Sequence, residues 1–154
     1  MTRMRRLLAL ALLLAAACSS AGGDPGAEPS SLVVTTADGT IDLAVEIADS
    51  PEERATGLMG REALAPYDGI VFVWTEPTSG GFWMKDTLIP LSIAFWDPEG
   101  RIVAILDMEP CEADPCPSYE AGEAYVGAVE VEQGLFDERG IAVGDLVELA
   151  PAES

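Results

Sequence analysis

Turn-forming residues punctuate the chain so closely between Leu32 and Leu149 that each apolar run is short, and this spacing restricts the fold more than any other feature. Leu32–Thr36 and Thr40–Ala48 read as two strands, with Ala37-Asp38-Gly39 as the turn of a hairpin. Along the second, Ile41, Leu43, Val45 and Ile47 alternate with Asp42, Ala44 and Glu46, the period of a strand with one buried and one wet face. Further strands are predicted at Gly69–Trp74, Gly81–Lys85, Leu91–Trp96, Arg101–Met108, Ala124–Val131 and Asp145–Leu149. Asp97-Pro98-Glu99-Gly100 joins two of them as a second hairpin turn.

Helix signals are brief. Ser50-Pro51-Glu52-Glu53 combines an N-cap serine, proline at the first helical position and a glutamate placed to close a capping box, and Gly57 is expected to end the helix after about two turns. Leu135–Arg139 is expected to add one short turn of helix. Many short strands with one or two short helices predict a mainly β domain, either a β-sandwich or a partly closed barrel. Residues 32–150 suffice for one such domain with a single core.

The first 17 residues have another character. Arg3, Arg5 and Arg6 precede the apolar run Leu7–Leu14, and small residues follow up to Cys18, the three parts of a secretory signal peptide. The apolar run is too short to cross a hydrocarbon core roughly 30 Å thick, so no transmembrane helix is expected in the mature protein. Two cleavage readings fit: Ala15-Ala16-Ala17 suits ordinary signal peptidase, while Ala16-Ala17-Cys18 resembles a bacterial lipobox whose leucine, Leu14, stands one place early. In the second, Cys18 carries a diacylglyceryl group, whose two chains are enough for stable anchoring; in the first, it is left as an exposed thiol. Ser19–Ser31 has no large apolar side chain and reads as a disordered tether with a reach of roughly 20 Å. The expected location is the outer face of the cell membrane or the periplasm, with the N-terminal lipid as the only membrane contact.

Charge and composition then narrow the function. The chain has 8 basic and 27 acidic residues, and three of the basic ones belong to the signal. Nucleic acid and anionic headgroups do not suit the scattered cations that remain, among which Lys85 is the lone lysine. A dense acidic surface serves solubility, and a cationic partner is the other reading. The absence of histidine removes Ser-His-Asp and Cys-His catalysis, histidine metal sites and the commonest general base. No nucleophile motif and no phosphate-cradling glycine loop is present, so no cofactor is predicted. Cys111 and Cys116 form an even pair in an exported domain and are expected to make a structural disulfide across Glu112-Ala113-Asp114-Pro115; a redox-active pair would want a C-x-x-C spacing.

Gly57-Leu58-Met59-Gly60-Arg61, Gly69–Phe72, Phe82-Trp83-Met84-Lys85-Asp86-Thr87, Pro90-Leu91-Ser92 and Gly144-Asp145 occur in an order that resembles the bacterial and archaeal domain of unknown function 192 family. That pattern runs G-L-M-x-R, an apolar strand after glycine, F-W-M-K-N-T, P-L-D and a final G-D. The resemblance covers nearly all of Leu32–Leu149 and implies a compact β-rich domain, often exported, with no established reaction. Asp86 replaces the usual asparagine and Ser92 the usual aspartate, which leaves open whether Asp86 approaches Ser92 to supply the missing carboxylate.

Candidate ligand-binding residues come from these segments. If Phe82–Lys85 is a strand, Trp83 and Lys85 share one face and Phe82 and Met84 the other. Trp83 then either covers a neighbouring strand or offers an apolar platform, with Lys85 as a charge for a carboxylate or anionic sugar. Asp86 and Glu130 are candidate partners of Lys85, and Thr87 closes the motif. Arg61 either holds a ligand carboxylate or binds helix carbonyls, while Leu58 and Met59 read as core. Asp107, Glu109, Glu112 and Asp114 lack the order of an EF-hand loop and read as a solvated acidic loop, so no metal is assigned. The Gly57–Arg61 corner and the Phe82–Thr87 segment are expected to meet and to bring Arg61 and Lys85 together. The reading that follows is a monomeric, envelope-tethered binding or accessory domain for a small anionic ligand, a glycan or an envelope protein. The alternative is an envelope glycan hydrolase or lyase using Asp86, Glu130 and Lys85.

Overall fold

The computed structural model describes residues 30–150, so the predicted signal peptide, Cys18 and the tether up to Pro29 lie outside the described residues. Seven strands and two short helices follow in the order β1 (Ser30–Thr36), β2 (Gly39–Ala48), α1 (Pro51–Thr56), β3 (Gly69–Thr78), β4 (Leu91–Trp96), β5 (Ile102–Met108), β6 (Tyr125–Glu132), α2 (Leu135–Arg139) and β7 (Leu146–Ala150). All strands belong to one sheet of order β5-β4-β6-β3-β2-β1-β7, in which β2 and β3 run parallel and every other pair is antiparallel. The sheet curls until its two edge strands approach, where Arg101 and Leu146 form a bridge. Of the two expected architectures, the curled, partly closed sheet is the one adopted.

Alternation along the strands gives the sheet two buried faces. The concave face holds Leu32, Val34, Leu43, Val45, Val71, Val129 and Val131, and Phe136 of α2 packs against them. The convex face holds Ile70, Phe72, Leu91, Ile93, Phe95 and Ala128. A convex face this apolar has to be covered, and the topology supplies the cover. A parallel β2/β3 pair needs a crossover, and its residues 49–68 carry α1, Leu58 and Leu64 over that face. Similarly, β3 and β4 flank β6 on opposite sides, so the chain between them, residues 79–90, crosses the same face and buries Met84.

Helix α1 forms as its capping residues dictate: the Ser50 side chain accepts from the Glu53 N–H, the Glu53 carboxylate accepts from the Ser50 N–H, and Gly57 ends the helix with φ +46°. Strand β3 runs on to Thr78, past the expected Trp74, and two other readings differ by more than a residue. Ser30 and Ser31, expected in the tether, pair with Val45 and Ala44 in β1. Gly81–Lys85 is no strand: Phe82 makes a lone bridge with Tyr119, and the chain then turns, with the Thr87 N–H donating to the Met84 carbonyl and Asp86 at φ 54°. Cys111 and Cys116 are disulfide-bonded, their Cα atoms 5.5 Å apart.

Candidate functional site

The two crossing segments meet over β6, where the Gly60 N–H donates to the Asp86 carbonyl at 2.8 Å. Between them lies a small cleft. Gly57, Leu58 and Met59 form one wall, and Phe82, Trp83 and Thr87 the other. Phe72 and Glu130 lie beneath, and the tail of α1 contributes Arg54. The cleft has about 30 Å³ of room for water, enough for roughly two waters or a few heavy atoms of a ligand.

Glu130 is the unexpected element of this floor. It sits on β6 in register with Ile70 on one side and Ile93 on the other, with Ala128 two residues before it on the same face. The residue is only 5% exposed. No described residue hydrogen-bonds or ion-pairs with its carboxyl, yet no buried side-chain oxygen is both sealed off and unpartnered, so its oxygens reach the cleft. Burial pushes its pKa up from 4.5 to about 8, so at neutral pH the group is a neutral acid that can donate a hydrogen bond. An unpaired carboxyl in an apolar layer costs stability, and such groups concentrate at functional sites.

The wall opposite is fixed by aromatic packing. The Phe82 ring meets Phe72 edge-on at 5.0 Å, and Tyr125 donates its hydroxyl to the Gly80 carbonyl at 2.6 Å, clamping the start of the segment. Trp83 stands out from this packing with 53% of its surface exposed. Arg54, which sequence reasoning passed over, lies across the Trp74 ring and donates to the carbonyls of Asp49 and Val73. Its sole sequence signal was its place in the last turn of α1.

The two segments meet as expected, but their cations engage separate partners. Arg61 points back to β2 and grips both oxygens of Glu46, with Nη2 at 2.7 Å from Oε2, and this carboxylate holds the guanidinium pKa up. Lys85 leans over the Trp83 ring, its Nζ 5.7 Å from the centroid and 4.0 Å from Asp114 Oδ1, rather than pairing with Asp86 or Glu130. Asp86 lines a separate surface depression by the disulfide loop, with Lys85 and Asp114. Of the candidates, Trp83, Thr87 and Glu130 therefore share the cleft; Arg61, Lys85 and Asp86 do not line it.

Ser92 also finds a different partner. Its hydroxyl donates to Asp107 Oδ1 at 2.6 Å across the β4/β5 pair and accepts from the Gly134 N–H at 3.0 Å. The carboxylate beside position 92 thus comes from the neighbouring strand, not from Asp86. Among the described residues no cluster of acidic or cysteine side chains is arranged to hold a metal ion.

Comparison with solved structures supports the same fold. A protein of Sinorhizobium meliloti 1021, provisionally described as a transcription regulator, shares 30% identity and superimposes with a TM-score of 0.72 over 82% of this chain and 98% of its own. A protein of unknown function from Novosphingobium aromaticivorans DSM 12444, also 30% identical, gives 0.73 over 86% and 94%. No curated protein matches significantly. The model of the DUF192 family, described as an uncharacterized ACR (COG1430), matches residues 33–149, and with that span the chain belongs to this family.

Proposed function

We propose that this domain is a binding or accessory domain of the cell envelope that holds a glycan, with a sugar ring on Trp83 and one small substituent inserted over Glu130. The observation that carries the reading is the unpaired carboxyl of Glu130 flooring a small cleft of mixed polar and apolar lining beside an exposed tryptophan. Sugars present apolar ring faces and hydroxyl-bearing edges, which an indole and a hydrogen-bonding acid match. The anionic ligand considered from sequence loses its support. Arg61 and Lys85 have carboxylate partners of their own, and a carboxyl at the base of the cleft repels an anion once ionised.

The hydrolase alternative needs two carboxylates facing one scissile bond, and Asp86 and Glu130 line different depressions. Transcription regulation, the description given to the Sinorhizobium protein, fits this chain poorly, because its cations are few and Arg54, Arg61 and Arg101 are held by its own carbonyls or carboxylates. Placement in the envelope rests on the three-part N-terminus and Cys18, and the disulfide agrees with an oxidising compartment.

Binding of fluorescent envelope-glycan fragments to the purified full-length protein tests the reading. Trp83→Ala should weaken binding about tenfold, losing the stacking of a sugar ring on the indole, worth about 1.4 kcal/mol, and leave the melting temperature nearly unchanged. Arg61→Gln should leave affinity unchanged. Equal affinity of parent and Trp83→Ala would remove the proposal.

A further inference from the structure

We propose that the group seated over Glu130 is an acetamido group, so that the glycan recognised is built from N-acetylated amino sugars. This rests on the binding reading above and narrows it.

The cleft itself imposes the choice. Its room of about 30 Å³ admits a few heavy atoms and no ring, so the inserted part is a substituent and the ring stays outside against Trp83. Leu58, Met59, Phe72 and Phe82 supply the carbon part of the lining, while Arg54, Thr87 and, at the base, the Glu130 carboxyl supply polar atoms. A matching substituent carries a small apolar part for the walls and a hydrogen-bond acceptor for the acid. An acetyl group has this composition: its methyl contacts the apolar walls, and its carbonyl oxygen accepts from the protonated acid. A carboxylate would bring a charge into the same desolvating surroundings that keep Glu130 neutral, and a bare hydroxyl would leave the carbon part of the lining without a partner.

The state of Glu130 is set locally. β3 and β4 face it with Ile70, Phe72 and Ile93, and the 82–87 segment with Phe82, Trp83 and Thr87, none of which titrates. The charged group lining the cleft with it is Arg54 of α1, whose guanidinium is engaged by the Asp49 and Val73 carbonyls and by Trp74. Desolvation therefore governs the carboxyl and keeps it protonated through neutral pH. A ligand that accepts its proton in a hydrogen bond binds the protonated form, so affinity is full below about pH 8 and falls about tenfold per unit above it.

Titration of the full-length protein with three disaccharides decides the matter: the dimer of N-acetylglucosamine, the dimer of glucosamine and cellobiose, each at pH 6.5 and 9.5. The acetylated dimer should bind about tenfold or more tighter than cellobiose at pH 6.5, and should lose at least about tenfold by pH 9.5. Glu130→Gln, whose amide N–H still donates, should keep the acetamido preference and flatten the pH response, whereas Glu130→Leu should abolish the preference while remaining folded by melting curve. Equal binding of cellobiose and the acetylated dimer would overturn the acetamido assignment and leave the glycan reading standing. Tighter binding of the glucosamine dimer than of the acetylated dimer at pH 6.5, where its amines are protonated, would show that Glu130 works as a carboxylate and would overturn it as well. Failure of all three sugars to bind would overturn both readings.

Discussion

Glu130 occupies a sheet position flanked in register by Ile70 and Ile93, and its chemistry follows from those surroundings. The sequence shows a glutamate between Val129 and Val131, legible as a strand position and as one of two candidate carboxylates, but the burial that makes it unusual depends on segments 30 to 80 residues away. Arg61 and Lys85 illustrate the converse: their rarity in an acidic chain is plain in the sequence, but their partners Glu46 and Asp114 are fixed by folding. A pH dependence of stability follows from Glu130. A carboxyl whose folded pKa is raised from 4.5 to about 8 favours the native state most below 4.5, loses that advantage as pH rises through the window and loses no more above it. Glu130→Gln should remove this dependence, and denaturant melts should show the variant gaining roughly 3 to 5 kcal/mol relative to the parent between pH 4.5 and pH 8. Parallel pH profiles for parent and variant would contradict it.

At the level of elements, local rules read well where a segment's own chemistry decides its structure. The β1/β2 hairpin, the capped helix α1 and the second hairpin at Asp97–Gly100 form where turn and cap residues place them. Phe82–Lys85 misled because its alternation is that of a strand: Met84 is buried and Trp83 exposed on the opposite side, but the segment crosses above the sheet instead of joining it. Alternation reports which side chains are buried and does not identify the strand's neighbours. Gly127 makes the same point on β6. The Trp96 indole lies where a Cβ on this residue would be, a packing need that a glycine within a strand run does not announce. Gly127→Ala should therefore cost about 3 kcal/mol through overpacking of the β4/β6 pair, measured by denaturant unfolding. A loss under about 0.5 kcal/mol would mean that the Trp96 ring can move aside freely.

The fold of the whole molecule was legible as a class and not as a topology. Turn spacing implies many short strands, but the order β5-β4-β6-β3-β2-β1-β7 arises from long-range pairing, and the cleft exists because two crossovers pass over one face of β6. That meeting is expected from the distinctive motifs the two crossovers carry, Gly57–Arg61 and Phe82–Thr87, and the Gly60 N–H bond to the Asp86 carbonyl realises it. The proposed envelope location is tested separately at Cys18: Cys18→Ala should move the protein from the membrane to the soluble fraction, and unchanged fractionation would count against lipid anchoring. The central claim, that Glu130 is a neutral hydrogen-bonding acid at the base of a ligand cleft, is tested most directly by NMR titration of its side-chain carboxyl carbon in the full-length protein. The account predicts a midpoint near 8, displaced upward when the N-acetylglucosamine dimer is added. A midpoint in the ordinary carboxylate range near 4.5, unmoved by the sugar, would contradict it.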